Sequence, residues 1–112
     1  MGIESIQPKV DIILEHGNSI DIGDLVLRII HTPGHSQGGI CLLNEKDRFL
    51  ISGDTLFKGS IGRTDLPGGD YDQLLDNISQ RLLILDSDIC IYPGHGEPST
   101  IGWERKNNPF LT

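Results

Sequence analysis

Basic residues are scarce in this chain. Nine Lys and Arg stand against sixteen Asp and Glu in 112 residues, a formal net charge of −7. No basic run occurs, and no basic stretch interleaved with aromatics. That argues against nucleic acid as the main partner, because phosphate contacts need Lys and Arg. Cysteine is scarce too. The two present, Cys41 and Cys90, each sit inside an apolar stretch ("GICLL" and "DICIY"). Their spacing is not a CxxC metal pair, and a disulfide is not expected in the cytosol. Both are read as buried, reduced thiols that pack as small hydrophobes. The sequence also lacks an apolar run of membrane-span length, a signal-peptide-like start, a low-complexity tract and a recognisable internal repeat. These absences predict a soluble, cytoplasmic protein without membrane association. The length fits one small domain, residues 1–112, with a modest core.

What is present is a series of short strand-like runs separated by glycine-rich turns. Residues 1–9 have no period and form a lead-in, and "VDIILE" (10–15) is a short apolar run. "IDIGD" (20–24) alternates and ends in a turn, and "LVLRIIH" (25–31) reads as a strand. "GICLLN" (39–44) and "RFLIS" (48–52) flank polar residues suited to a hairpin turn. The glycine-rich segment 59–70 is expected to be loop throughout, with Asp70 as the N-cap of an amphipathic helix over 71–84 carrying Leu74, Leu75, Ile78, Leu82 and Leu83. "DICIY" (88–92) shows no polar alternation, as in a strand covered on both faces. "PGHGEPST" is expected to be loop, and the tail to be helical at its start.

This order brings three polar residues together. His35 lies just before the hairpin of 39–44 and 48–52, and Asp54 lies just after it. A hairpin returns to where it began, so the two side chains are neighbours by construction. From strand 48–52 the chain passes through a helix to strand 88–92, a strand–helix–strand unit whose strands run parallel and end on one edge. Asp54 follows the first and His95 follows the second. Ligands of open α/β sheets bind beyond such carboxyl ends. His35, Asp54 and His95 are therefore expected on one rim, and two imidazoles with a carboxylate form a ligand set for zinc or iron. His16, in a simple turn without a partner, is read as structural. His31 is expected to pack or bond to the following loop. Arg63 and Asp65 are expected to brace their loop as a pair, with an outer role behind the ligands or a substrate contact as the alternative for all of His31, Arg63 and Asp65.

At these residues the sequence resembles the metallo-β-lactamase superfamily, in its glyoxalase II-like (hydroxyacylglutathione hydrolase-like) branch. The matching pieces are "HTPGHSQGG", "LISGDTLF", "GSIGRTDLPGGD", "YPGHG" and "ERKNNPF", in the family's order and spanning nearly the whole chain. The resemblance implies an α/β fold of the α+β kind: half of an αββα sandwich, a mixed sheet with a strand–helix–strand unit. It implies that His35 ligates a first metal, Asp54 bridges two metals and His95 belongs to the second. Zinc is the implied metal, with iron or manganese as alternatives. The implied reaction is hydrolysis of a small-molecule thioester or ester by a metal-bound hydroxide. Asp rather than Cys at position 54 resembles the hydrolase and dioxygenase branches more than the antibiotic-degrading enzymes.

One departure is large. The family's earlier HxHxDH motif, which supplies four further ligands, does not occur in these 112 residues. The chain thus resembles the C-terminal half of the fold and is expected to be inactive alone. The alternatives are a non-catalytic half-domain and a sulfur dioxygenase-like mononuclear iron protein. A half-sandwich also leaves one apolar sheet face uncovered. That predicts a homo-oligomer or pairing with an N-terminal half.

Overall fold

A computed structural model describes residues 15–111. The run at 10–15, apart from Glu15, and the lead-in at 1–9 lie outside the described residues.

Six strands form one mixed sheet. They are β1 (Ser19–Ile22), β2 (Leu25–His31), β3 (Ile40–Asn44), β4 (Phe49–Gly53), β7 (Cys90–Pro93) and β8 (Ser99–Thr100). They lie side by side in that order, all antiparallel except the β4–β7 pair, which is parallel. The fold is the expected α+β arrangement with a mixed sheet. Arg48 ties the start of β4 to the approach to β7: its guanidinium donates to Asp88 at 3.1 Å and to Asp86 at 2.7 Å. Both acids are exposed, so this bridge aligns the strands more than it stabilises them.

Between β4 and β7 run two shorter elements. A two-stranded hairpin, β5 (Leu56–Phe57) and β6 (Ser60–Ile61), stands beside the main sheet. Helix α1 (Tyr71–Asn77) is capped by Asp70, whose carboxylate accepts from the Gln73 N–H at 3.0 Å. It continues into a π-helical turn, Ile78–Leu82, closed by the Leu83 N–H on the Ile78 carbonyl at 2.9 Å. The wider turn keeps Ile78 and Leu82, four apart, aimed together into the core, and both are fully buried. Helix α2 (Ile101–Asn107) closes the chain, capped by Thr100.

The register divides the sheet into two faces. Ile30, Cys41, Leu43, Leu50 and Ile91 meet Leu74, Ile78, Leu82 and Ile101 in the main core. On the opposite face Leu27, Ile29 and Leu42 form a second, smaller core flanked by Ile20, Ile40, Phe49 and Ile51. The expected uncovered face is thus apolar but exposed only toward its ends, at Ile22 (43%), Leu25 (37%) and Tyr92 (46%). Tyr92 also corrects the expectation that the last strand is covered on both faces. Its run lacked polar alternation because an exposed tyrosine reads as apolar.

Two expected loops contain strands. Segment 59–70 begins with β6, because Gly59 at φ 73° turns the chain tightly between Phe57 and Ser60. "PGHGEPST" ends in β8, which pairs with Cys90 and Ile91. Strands of two residues are too short to carry a period. Helix 71–84 is present, shorter by two residues and with its π-helical end.

Cys41 is buried on the helix side, and Cys90, on the other face, is half-buried rather than buried; both thiols are free. Burial pushes the Cys41 thiol up to about 11. A thiolate-directed reagent is therefore expected to label folded protein once, at Cys90, and twice after denaturation. Mass spectrometry of the labelled peptides checks this, and rapid double labelling of folded protein would contradict it.

Candidate metal centre

His35 sits in the loop from Thr32 to Gly39 that joins β2 to β3. The loop is closed by the Thr32 N–H on the Gly39 carbonyl (2.8 Å) and fastened to α1 by the Asp70 N–H on the Gly34 carbonyl (2.7 Å). The Thr32 hydroxyl meets that of Thr55 at 3.1 Å in a buried contact. Thr55 adjoins Asp54, so a hydroxyl pair beneath the surface couples the His35 loop to the Asp54 turn.

The His35 ring is oriented from behind. Its Nδ1 lies 2.7 Å from the Arg63 carbonyl. A carbonyl can only accept, so Nδ1 carries a proton, and in the neutral ring the lone pair is on Nε2. Nε2 in turn lies 3.9 Å from Asp54 Oδ2. An imidazole held by a backbone carbonyl on one nitrogen and presenting the other is how metal-ligating histidines are commonly fixed.

Asp54 follows the end of β4. Its turn is pinned to the end of β7 by the Gly94 N–H on the Gly53 carbonyl at 2.8 Å. His95 follows directly, and its exposed ring stacks on Phe57, with centroids 4.6 Å apart and planes at 25°. His35, Asp54 and His95 all line a cleft of about 610 Å³ walled by Phe57, Lys58 and Arg63. The same three border a second cleft of about 520 Å³. They form the ridge between two hollows at the carboxyl ends of β4 and β7.

The donor set suits a divalent metal only in part. The His35–Asp54 pair presents a free imidazole lone pair and a carboxylate to a common space. Yet among the described residues no three His, Cys, Asp or Glu side chains gather closely enough to hold a metal ion. His95 shares the rim and stacks on Phe57. The described chain thus offers part of a coordination sphere.

The remaining polar residues have definite places. His31 bonds to its loop as expected, with Nε2 donating to the Gln37 carbonyl at 3.0 Å. His16 is structural but does have a partner, since its Nδ1 accepts from the His31 N–H at 3.1 Å. Arg63 and Asp65 form the expected bracing pair, at 2.8 and 2.9 Å. The guanidinium holds the Asp65 carboxyl down at about 2. Arg63 bonds to His35 through its backbone carbonyl. Phe57, behind His95, escaped the sequence reading, because nothing in "TLFKG" marks a ring as a stacking partner.

The mixed sheet carries His35, Asp54 and His95 at the rim of one cleft. The chain belongs to the metallo-beta-lactamase superfamily, whose family model matches residues 2–95. It is 40% identical over 110 residues to the hydroxyacylglutathione hydrolase GloC of Haemophilus influenzae, covering 93% of this chain and 52% of that protein. Among solved structures it is similar to the BLEG-1 B3 metallo-beta-lactamase, with 47% identity, a TM-score of 0.81, and coverage of 84% of this chain and 45% of that one. It is also similar to TTHA1623 in a di-iron-bound form, with 38% identity, a TM-score of 0.81, and coverage of 93% and 50%. The chain spans about half the length of the curated relatives it matches, and superfamily membership implies a divalent metal. Among the described residues no helix is long and apolar enough to cross a membrane.

Proposed function

We propose that this chain carries the His35–Asp54–His95 part of a glyoxalase II-like metallohydrolase site for small thioesters or esters. The observation that carries this is the carbonyl-held His35 ring facing Asp54 across a shared cleft. Likeness to GloC supports the thioester reading. Zinc is the proposed metal, iron the second candidate on the di-iron form of TTHA1623, and manganese the third. The proposed setting is the cytoplasm.

A divalent metal, when bound, lowers the pKa of its water and supplies a nucleophile at neutral pH. The chain's own residues do the rest. The Arg63 carbonyl keeps His35 in one tautomer, Asp54 adds a negative charge beside it, and the cleft wall of Phe57 and Ile61 shields one side from solvent. The remaining ligands come from outside residues 15–111, on a segment resembling the HxHxDH half. The exposed apolar ends of the sheet's second face, at Ile22, Leu25 and Tyr92, suit packing of that half, while Leu27, Ile29 and Leu42 are already buried. Pairing of two copies through the same face is the alternative.

The test is hydrolysis of a hydroxyacylglutathione by the chain alone and by the chain mixed with the HxHxDH-bearing half of the Haemophilus relative. Turnover that appears only in the mixture, needs metal and is lost in Asp54→Ala is the expected result. Turnover by the chain alone that survives Asp54→Ala would contradict the reading. Hydrolysis of a β-lactam in place of the thioester would favour the chemistry named in BLEG-1 instead.

A further inference from the structure

The closing motif "ERKNNPF" lies away from the rim, yet it holds a fully buried carboxylate, Glu104. Burying a charge is costly unless every lone pair is used. Glu104 accepts one bond from the hairpin that walls the cleft and two from other side chains. Its Oε1 accepts from the Gly59 N–H at 3.1 Å and from Asn108 Nδ2 at 2.8 Å, and its Oε2 accepts from the Ser99 hydroxyl. Asn108, also buried, donates from the same Nδ2 to the Ser60 carbonyl at 3.1 Å. Both bonds to the hairpin fall at its Gly59–Ser60 turn.

That hairpin and the residues directly after it contact both histidines of the rim. Phe57, one residue from β5's turn, stacks on His95. Arg63, two residues beyond β6, holds the His35 Nδ1 proton with its carbonyl. A two-stranded hairpin of two residues per strand is not stable alone, so its position must come from its attachments. The Ser99 hydroxyl links the same carboxylate to β8, the edge strand of the main sheet.

We propose that Glu104 and Asn108 are positioning residues: a buried strut from α2 that sets the β5–β6 hairpin and through it the orientation of both His35 and His95. The strut rests on the reading of those histidines as metal ligands, but its geometry can be read without metal.

The experiment uses the full chain with three variants and one control. Glu104→Ala and Asn108→Ala remove the strut. Glu104→Gln keeps an acceptor for Gly59. Arg105→Ala is the control: it loosens the same helix at its other attachment, where Arg105 donates to the Leu83 and Leu85 carbonyls and the Ser87 hydroxyl. Three quantities are read: amide exchange at Gly59, the NMR shifts of the His35 and His95 ring protons, and Co(II) affinity. The strut predicts that both Ala variants lose Gly59 protection, move both histidine rings and weaken Co(II) binding by about 10–100-fold, the usual cost of losing an outer contact of a ligand. Glu104→Gln is expected to restore the ring shifts. Arg105→Ala is expected to lower Tm without moving them.

Unmoved rings in Glu104→Ala and Asn108→Ala, or rings moved equally by Arg105→Ala, would overturn the proposal. Where Glu104→Ala fails to fold, Asn108→Ala and Glu104→Gln decide by the same readings. If the unmodified chain binds no Co(II), the functional reading fails by itself, and the ring shifts and Gly59 exchange still decide on the strut.

Discussion

Asp54→Ala is expected to lower divalent-metal affinity by at least about 100-fold, the upper end of what losing even an outer-shell partner costs. Asp54 is the carboxylate facing His35 Nε2, at 3.9 Å. Its side chain is half exposed, and the turn that carries it is held by the backbone bond from the Gly94 N–H to the Gly53 carbonyl. Stability should therefore change by no more than about 0.5 kcal/mol, as for other surface substitutions. Isothermal titration with zinc, paired with a thermal melt, separates the two effects. Full affinity in a normally folded Asp54→Ala chain would mean that Asp54 is not a ligand.

Gly62→Ala is expected to disturb fold and site together. A Cβ at position 62 would lie 2.0 Å from the Asp54 carbonyl oxygen and 3.2 Å from His35 Cβ. Backbone cannot yield as a flexible side chain can, so the strand end carrying Gly62 and Arg63 must move away. The Gly62 N–H bond to the Thr55 carbonyl, 2.9 Å, would stretch, and the Arg63 carbonyl would leave His35 Nδ1. Overpacking of this kind costs about 1–3 kcal/mol. Denaturant unfolding measures that cost, and zinc titration should show weakened binding in the fraction that remains folded. Unaltered stability would mean that the close packing of position 62 on Asp54 is relieved without consequence.

Much of this was legible in the sequence because it depends on order along the chain. A hairpin between His35 and Asp54, followed by a helix and a parallel strand before His95, places all three on one edge whatever the details. The strands β2, β3 and β4 and the cap at Asp70 came from apolar runs and turn chemistry that tertiary context did not override. The short strands β5, β6 and β8 were not legible, since two residues carry no period. The contact that fixes His35 was hidden for a different reason: Arg63 acts through its carbonyl, which every residue has. The partner of His16 is likewise a backbone N–H. Glu104 was visible only as a letter in a closing motif. Its burial depends on a hairpin more than forty residues earlier in the chain, which no local pattern announces.

Zinc titration of the chain, followed by the ring-proton NMR signals of its four histidines, decides whether the rim histidines bind metal. His16 and His31 are engaged with backbone groups away from the cleft, whereas His35 and His95 line it. Saturable shifts are expected at His35 and His95, with unchanged signals at His16 and His31 and loss of the response in Asp54→Ala. Zinc that shifts His16 or His31 while leaving His35 untouched would contradict that expectation.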